Sequence, residues 1–500
     1  MEAASPSQSK IWRRSLACAL PRLSVTLALT AGLALRLWIL KQYFEVNGDA
    51  LIYGGIAKNL LRHGSYALDG AGSEIYSTLI RLPGYPLFLA LCFRLFGMEN
   101  YASACWVQIA LELAGCLLLA DFVRRIVPVS RQTGAPGDGS LSQGWKTGAA
   151  HCTLWIAALC PFTAIYVSEP MTESLTLFVI VLALWSAARF CARPGWGPAL
   201  WFTFAVSSAA LLRPDGALAG VALAPALLIG SMRSDGAGGI PVKRLVRIAA
   251  VCGLLALMPF AAWSWRNWQV FHVFQPLAPR LATDPGEDTH PGWERWVKSW
   301  CLDYVSTYEV YWYVPGDTLD ISKLPSRAFD SQSQFEETAA LAADYNVDHA
   351  LTHEIDARFG KLAGERIAAH PMRYYLWLPL GRVADMWLRP RVENLPIDLD
   401  WWVYSHHRAE TRFSWAYAGL NAIYLLLGFA GLWLRPRFWG PMLAYMLLRS
   451  ALLFTVQAPE ARYTLECFPM LFALGGVALY RFTYWVLASV LKVKASAGRG

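Results

Sequence analysis

A chain of 500 residues with 55% hydrophobic and only 16% charged side chains departs from soluble globular proteins, in which roughly 25% of residues are charged. Its 23 Trp, 21 Tyr and 23 Phe, with a mean hydropathy of +0.33, exclude a disordered tail, a collagen, a coiled coil and a disulfide miniprotein. The net charge of +8 does not point to a nucleic-acid partner, because the basic residues gather in short segments beside apolar runs, as the positive-inside rule expects.

About ten runs reach the roughly 20 apolar residues that a spanning helix needs, so the expected fold is an all-α polytopic membrane protein. The first, 23–43, follows Lys10, Arg13, Arg14 and Arg22; it is too long for a signal-peptide core and predicts an uncleaved anchor. Further spans are predicted at 101–123, 148–167, 174–190, 198–212, 217–232 and 248–265, and the last three at 415–434, 438–456 and 465–488. With the N-terminus inside, the cytoplasmic segments hold about 20 basic residues against about four acidic ones, among them Arg124, Arg125, Arg189, Arg193, Arg435 and Arg437. That bias predicts a plasma (inner) membrane protein with both termini cytoplasmic.

The cytoplasmic connectors, as at 134–144 and 234–239, are short and turn-rich. Two long segments face outward: 44–100, and 266–414 with about 20 acidic residues between Asp284 and Asp400. The predicted organisation is therefore a catalytic transmembrane module at 1–232 that includes the first external loop 44–100. It continues with a connector and seventh span at 233–265, a large, partly helical external loop at 266–414, and C-terminal helices at 415–500. Long loops are usually functional, so the chemistry is expected outside.

The first loop opens Glu45-Val-Asn-Gly-Asp49 and continues through Tyr53, with Ile52, Ile56, Leu60 and Leu61 forming a helical apolar stripe. An interfacial helix entered by a carboxylate follows from this pattern; Asp49 is either a functional acid or an N-cap. Arg81 begins a second short apolar piece around Pro83, where it can pair bidentately with a phosphate or simply snorkel. After the third span come Glu169 and Glu173, which either converge on a site or serve the next helix, with Thr172 or Ser168 as cap. Arg213-Pro214-Asp215, Arg266-Asn267 and Glu460-Ala461-Arg462-Tyr463-Thr464-Leu465-Glu466 lie at the same outer depth. Carboxylates and arginines at one depth suit an anionic, lipid-linked ligand.

These residues resemble the C-type superfamily of integral-membrane glycosyltransferases that use polyprenyl-phosphate sugars, nearest the protein O-mannosyltransferase and lipid A aminoarabinose transferase families. Gly48-Asp49 with Tyr53 looks like the acidic motif of the first loop. The resemblance implies that Asp49 is the catalytic carboxylate, although Ala50 stands where several relatives carry a second acid. It implies that Arg81 holds the carrier phosphate and that Glu173, or Glu169 in its place, is the acid of the second external loop. Tyr53, Arg213, Arg266, Arg462 and Tyr463 fit recurrent substrate-side positions.

The implied reaction transfers a sugar to an acceptor on the extracytoplasmic face, with inversion. The acceptor is a lipid, a protein or a cell-envelope glycan. Because the leaving group is a monophosphate met by arginine, no cofactor is required, and a divalent metal is the alternative. The rival class is a multi-pass transporter of a lipid or anion, which would show inverted repeats and broken spans. His349-x-x-x-His353 puts two imidazoles on one helix face without a metalloprotease pattern, and His406-His407 and His290 carry no ligand spacing, so no metal site is predicted. Gln108 and Glu112 inside a span are expected to bond across helices, and Arg36 and Arg449 to pair or snorkel. Ten cysteines show no C-x-x-C pair, and spacing leaves a Cys301–Cys467 disulfide untested.

Overall fold

The computed structural model describes residues 6–70, 74–127, 139–232 and 241–497. The predicted connector at 234–239 and the first part of that at 134–144 lie outside the described residues. Two compact units emerge: Met1–Ala278 with Ile423–Tyr445 and Glu466–Gly500, and Pro279–Ala422 with Met446–Leu465.

The chain begins with α1 (Pro6–Tyr43), α2 (Asp49–His63), a hairpin of β1 (Ala67–Asp69) and β2 (Ile75–Ser77), and α3 (Gly84–Phe96). It continues through α4 (Tyr101–Ile126), α5 (Gly139–Ala158), one-turn α6 (Pro161–Ala164), α7 (Thr172–Ala192), α8 (Trp196–Leu212), α9 (Leu218–Met232) and α10 (Val242–Phe271). Then follow α11 (Pro291–Lys298), α12 (Tyr304–Ser306), α13 (Gln332–Tyr345), α14 (His353–Ala369) and α15 (Leu378–Leu388). The last helices are α16 (Arg408–Trp433), α17 (Trp439–Leu453) and α18 (Phe468–Ala497).

Among the described residues, six helices are long and apolar enough to cross a membrane: Arg22–Tyr43, Tyr101–Ile126, Thr172–Ala192, Val242–Phe271, Arg408–Trp433 and Ala461–Val486. The chain is a helical, polytopic membrane protein. The predicted span at 148–167 is a pair of helices, Thr147–Ala158 and Pro161–Ser168, bent by 47°. Pro161 has no N–H with which to continue the ladder, which is the usual cause of such a break. The remaining predicted spans are shorter helices, 17 residues in α8 and 15 each in α9 and α17.

In the first unit α7 is apolar on all sides and accordingly central, packed between α4 and α8. α18 lies on α5 at very close range: a Cβ added to Gly476 would come 1.9 Å from Thr153 Oγ1. Charge inside the spans is paired, as lipid demands. Arg36 Nε donates to Glu112 at 2.9 Å, Arg36 Nη1 donates to the Ala158 carbonyl at 2.7 Å, and Ser174 Oγ donates to Glu112 at 2.7 Å. The expected cross-helix role of Glu112 is thus present, with Arg36 as its partner.

α10 departs from expectation at its C-terminal end. The segment beginning at Arg266 was expected to be loop, yet the helix continues to Phe271 and stops only where His272 turns left-handed at φ 57. Arg266 is therefore a helical residue.

The second unit has its own core. Trp293, Trp296 and Trp300 are at most 1% exposed and pack with Phe359 and Leu341. Truncating a buried Trp costs about 3–5 kcal/mol. α11 packs on α14, and Asp356 of α14 accepts from the N–H groups of Gly292 (3.0 Å) and Trp293 (2.8 Å). An acid thus satisfies orphan donors at a helix start from a distant part of the sequence. His349 and His353 do not share a helix face, because His349 stands at φ 56 ahead of α14, which starts at His353.

Candidate functional site

The segment 44–100 builds the site from its backbone. Gly48 holds φ 45 at the N-cap of α2 and makes no side-chain cap bond, so Asp49 is the first helical residue and not the cap. Ile56 and Ala57 turn inward, and Gly54 faces Tyr101 so closely that a Cβ would lie 1.7 Å from its hydroxyl. Gly64 ends the helix in the left-handed region at φ 66. Asn59 Nδ2 donates to the Ala67 carbonyl at 3.1 Å, and Lys58 pairs with Asp69 at 2.8 Å, locking the hairpin onto α2.

Asp49 meets Arg81 directly: Nη2 donates to the carboxylate at 2.6 Å. The two side chains are 31% and 20% exposed. The Arg81 guanidinium also stands 6.0 Å from the Tyr53 ring centroid, and Tyr53 packs edge-on against Tyr85 at 5.1 Å. Tyr85 in turn donates to Gln108 at 2.6 Å, and Gln108 Nε2 donates to the Glu169 carbonyl at 3.1 Å.

A second charged group stands behind the first. Arg213 Nη1 donates to Glu173 at 3.2 Å, while its Nε lies 3.1 Å from Glu466 and 3.6 Å from Asp215. The Glu173 and Glu466 side chains are only 4% exposed. Tyr445 donates to the other Glu466 oxygen at 3.0 Å. Tyr53 lies between Arg81 and Tyr85. Burial first, then the Asp49 charge, push its hydroxyl up to about 12, with Arg81, Glu173 and Arg213 also acting on it. It therefore remains a protonated donor at neutral pH.

Of the residues singled out in the sequence, Asp49, Tyr53, Arg81, Glu169, Glu173 and Arg213 belong to this network in the first unit. Arg266 belongs to that unit, and its guanidinium donates to the Tyr66 carbonyl at 2.7 Å, the Thr78 carbonyl at 2.8 Å and Asn267 Oδ1 at 3.0 Å. Tyr66 and Thr78 stand just outside the paired register Ala67↔Ser77, so Arg266 closes the hairpin. It also stacks 5.3 Å from each of Tyr66, Trp263 and Phe271. Arg462 and Tyr463 fall in the second unit. There both engage Glu460, Arg462 at 2.6 Å, and Arg449 donates to the Tyr463 carbonyl at 2.9 Å.

Sequence reasoning left Asp215 and Glu466 out of the predicted site, although both occur in the motifs that supplied Arg213 and Arg462. Their signal was a carboxylate two or four residues from a chosen arginine at the same depth. Among the described residues, His407 gathers carboxylates that could share an ion, with Asp398 at 3.1 Å, Asp400 at 3.0 Å and His406 nearby. Glu410 completes a second such group with Asp398 and His407. Cys301 and Cys467 are both buried thiols. A cavity of about 370 Å³, counted with its open mouth, lies among Arg36, Glu112, Thr163, Phe178 and Phe472 in the first unit, and no predicted site residue lines it.

No family model matches the chain, and no curated protein matches it. Among solved structures, ArnT from Cupriavidus metallidurans in the apo state is similar over 93% of this chain and 78% of its own, at 14% identity and a TM-score of 0.35. ArnT of the same organism bound to undecaprenyl phosphate is similar over 91% of this chain and 77% of its own, at 14% identity and a TM-score of 0.33.

Proposed function

We propose that this membrane protein is a glycosyltransferase that moves a sugar from a polyprenyl-phosphate donor to an acceptor on the extracytoplasmic face of the cell membrane, with inversion. The observation that carries the reading is the Asp49–Arg81 pair at the start of α2, with the Glu173–Arg213 pair in the same unit. Such a site offers a carboxylate to take a proton and, beside it, a guanidinium to take a phosphate.

The acceptor's hydroxyl or amine attacks the anomeric carbon while Asp49 accepts its proton as general base. The bond from that carbon to the phosphate oxygen breaks, and polyprenyl phosphate leaves with both electrons, its charge met by Arg81. Tyr53, held protonated, can donate to a donor oxygen. Glu173 and Arg213 fix this wall of the site; Glu169 is the alternative acid, with its carbonyl already held by Gln108. The reaction as drawn needs no cofactor. Arg462 and Tyr463 are assigned to the substrate side through the motif they share with Glu466.

The break at Pro161 favours the rival reading, a transporter with discontinuous spans. One experiment separates the two. Purified protein in lipid is incubated with a panel of polyprenyl-phosphate sugars and a membrane extract as acceptor. Released polyprenyl phosphate with a glycosylated acceptor is the expected result. Donor moved across the bilayer and recovered intact would replace the enzyme by a transporter.

A further inference from the structure

The resting arrangement sets the two working groups against each other. Arg81 cannot offer its full fork to a phosphate while Nη2 is 2.6 Å from Asp49, and Asp49 cannot give that lone pair to an incoming proton while it accepts from Arg81. Arg81 Nη1 also donates to the Ile80 carbonyl at 3.3 Å. Both partners remain partly open to solvent, at 20% and 31%. Ion pairs of this kind are weak, worth up to about 5-fold in an equilibrium. A phosphate presents several oxygens and can engage the fork bidentately, so it outcompetes a single carboxylate oxygen.

We propose that the Asp49–Arg81 pair is a latch that the donor's phosphate opens: the phosphate takes Arg81, and Asp49 Oδ1 loses that donor and becomes the stronger base. Without a donor, Arg81 holds Asp49 Oδ1 and lowers its basicity. The inference rests on the donor reading above, because it needs a phosphate at Arg81. It predicts a result that plain phosphate binding does not: removing the proposed base improves donor affinity, and does so through Arg81.

The experiment is a double-mutant cycle on full-length protein in nanodiscs, measuring polyprenyl phosphate binding to the wild type, Asp49→Asn, Arg81→Gln and the double variant. Arg81→Lys, which keeps the charge without the fork, stands in if Arg81→Gln is not monodisperse. Asp49→Asn is expected to tighten binding about 3-fold, and Arg81→Gln to weaken it about 10-fold or more. In the Arg81→Gln background the gain from Asp49→Asn should vanish. An equal gain in both backgrounds would mean simple charge repulsion and would overturn the latch while leaving the donor reading intact. If the wild type binds polyprenyl phosphate no better than Arg81→Gln, the donor reading fails and the latch falls with it.

Discussion

Arg213 stands among three carboxylates, at 3.2 Å from Glu173, 3.1 Å from Glu466 and 3.6 Å from Asp215. Two of those acids are almost wholly buried. Replacing Arg213 by Gln keeps some hydrogen bonding but removes the positive charge between them. Breaking a buried pair by deleting one partner costs about 3–5 kcal/mol, because the remaining charge stays desolvated. The same logic makes Glu466→Gln in the Arg213→Gln chain partly restorative, with a coupling of about 1–3 kcal/mol. The assay is reversible unfolding of the detergent-purified protein, run on the wild type, the two single variants and the double variant. Strictly additive losses would show that Arg213 and Glu466 are neighbours without energetic consequence, and the account of this group would be wrong.

Asp49→Asn should leave stability within about 0.5 kcal/mol, since Gly48 is the cap position, yet lower turnover about 10²-fold; steady-state turnover near the wild-type value would remove Asp49 as the base. Arg266→Ala should loosen the hairpin, because it deletes two charge-assisted bonds to the Tyr66 and Thr78 carbonyls, each worth about 1.5–3 kcal/mol. Hydrogen exchange should then speed up from Tyr66 to Thr78 with donor affinity unchanged, and weakened donor binding over an intact hairpin would assign Arg266 to the phosphate instead. Burial raises Asp385 in the second unit to about 6 from 3.8, against the lowering effect of Arg389. The protonated folded form is thus favoured: its stabilisation is complete below the unfolded value and is lost as pH rises through about 6, a change of about 3 kcal/mol. Thermal unfolding of the wild type between pH 4 and 7 should show this decline and Asp385→Asn should flatten it; parallel profiles would contradict the assignment.

Composition and apolar run length decided the class of this protein. A chain so poor in charge must hide its backbone in helices within lipid, and the stripe Ile52, Ile56, Leu60 was enough to mark helix α2. The sequence also marked Asp49, Arg81, Glu173 and Arg213, because charges at the edge of apolar runs are conspicuous. Pairing was not legible. Asp49 faces an arginine 32 residues away, Glu112 one 76 residues away, and Arg213 an acid more than 250 residues away; such contacts depend on how helices pack, which no local pattern encodes. The same holds for Arg266. Its aromatic neighbours suggested an interfacial cation, but the tertiary structure continued α10 through it and turned its guanidinium onto two backbone carbonyls of a hairpin whose polar groups had to be satisfied. Spacing told which side chains were available, and packing decided which of them met.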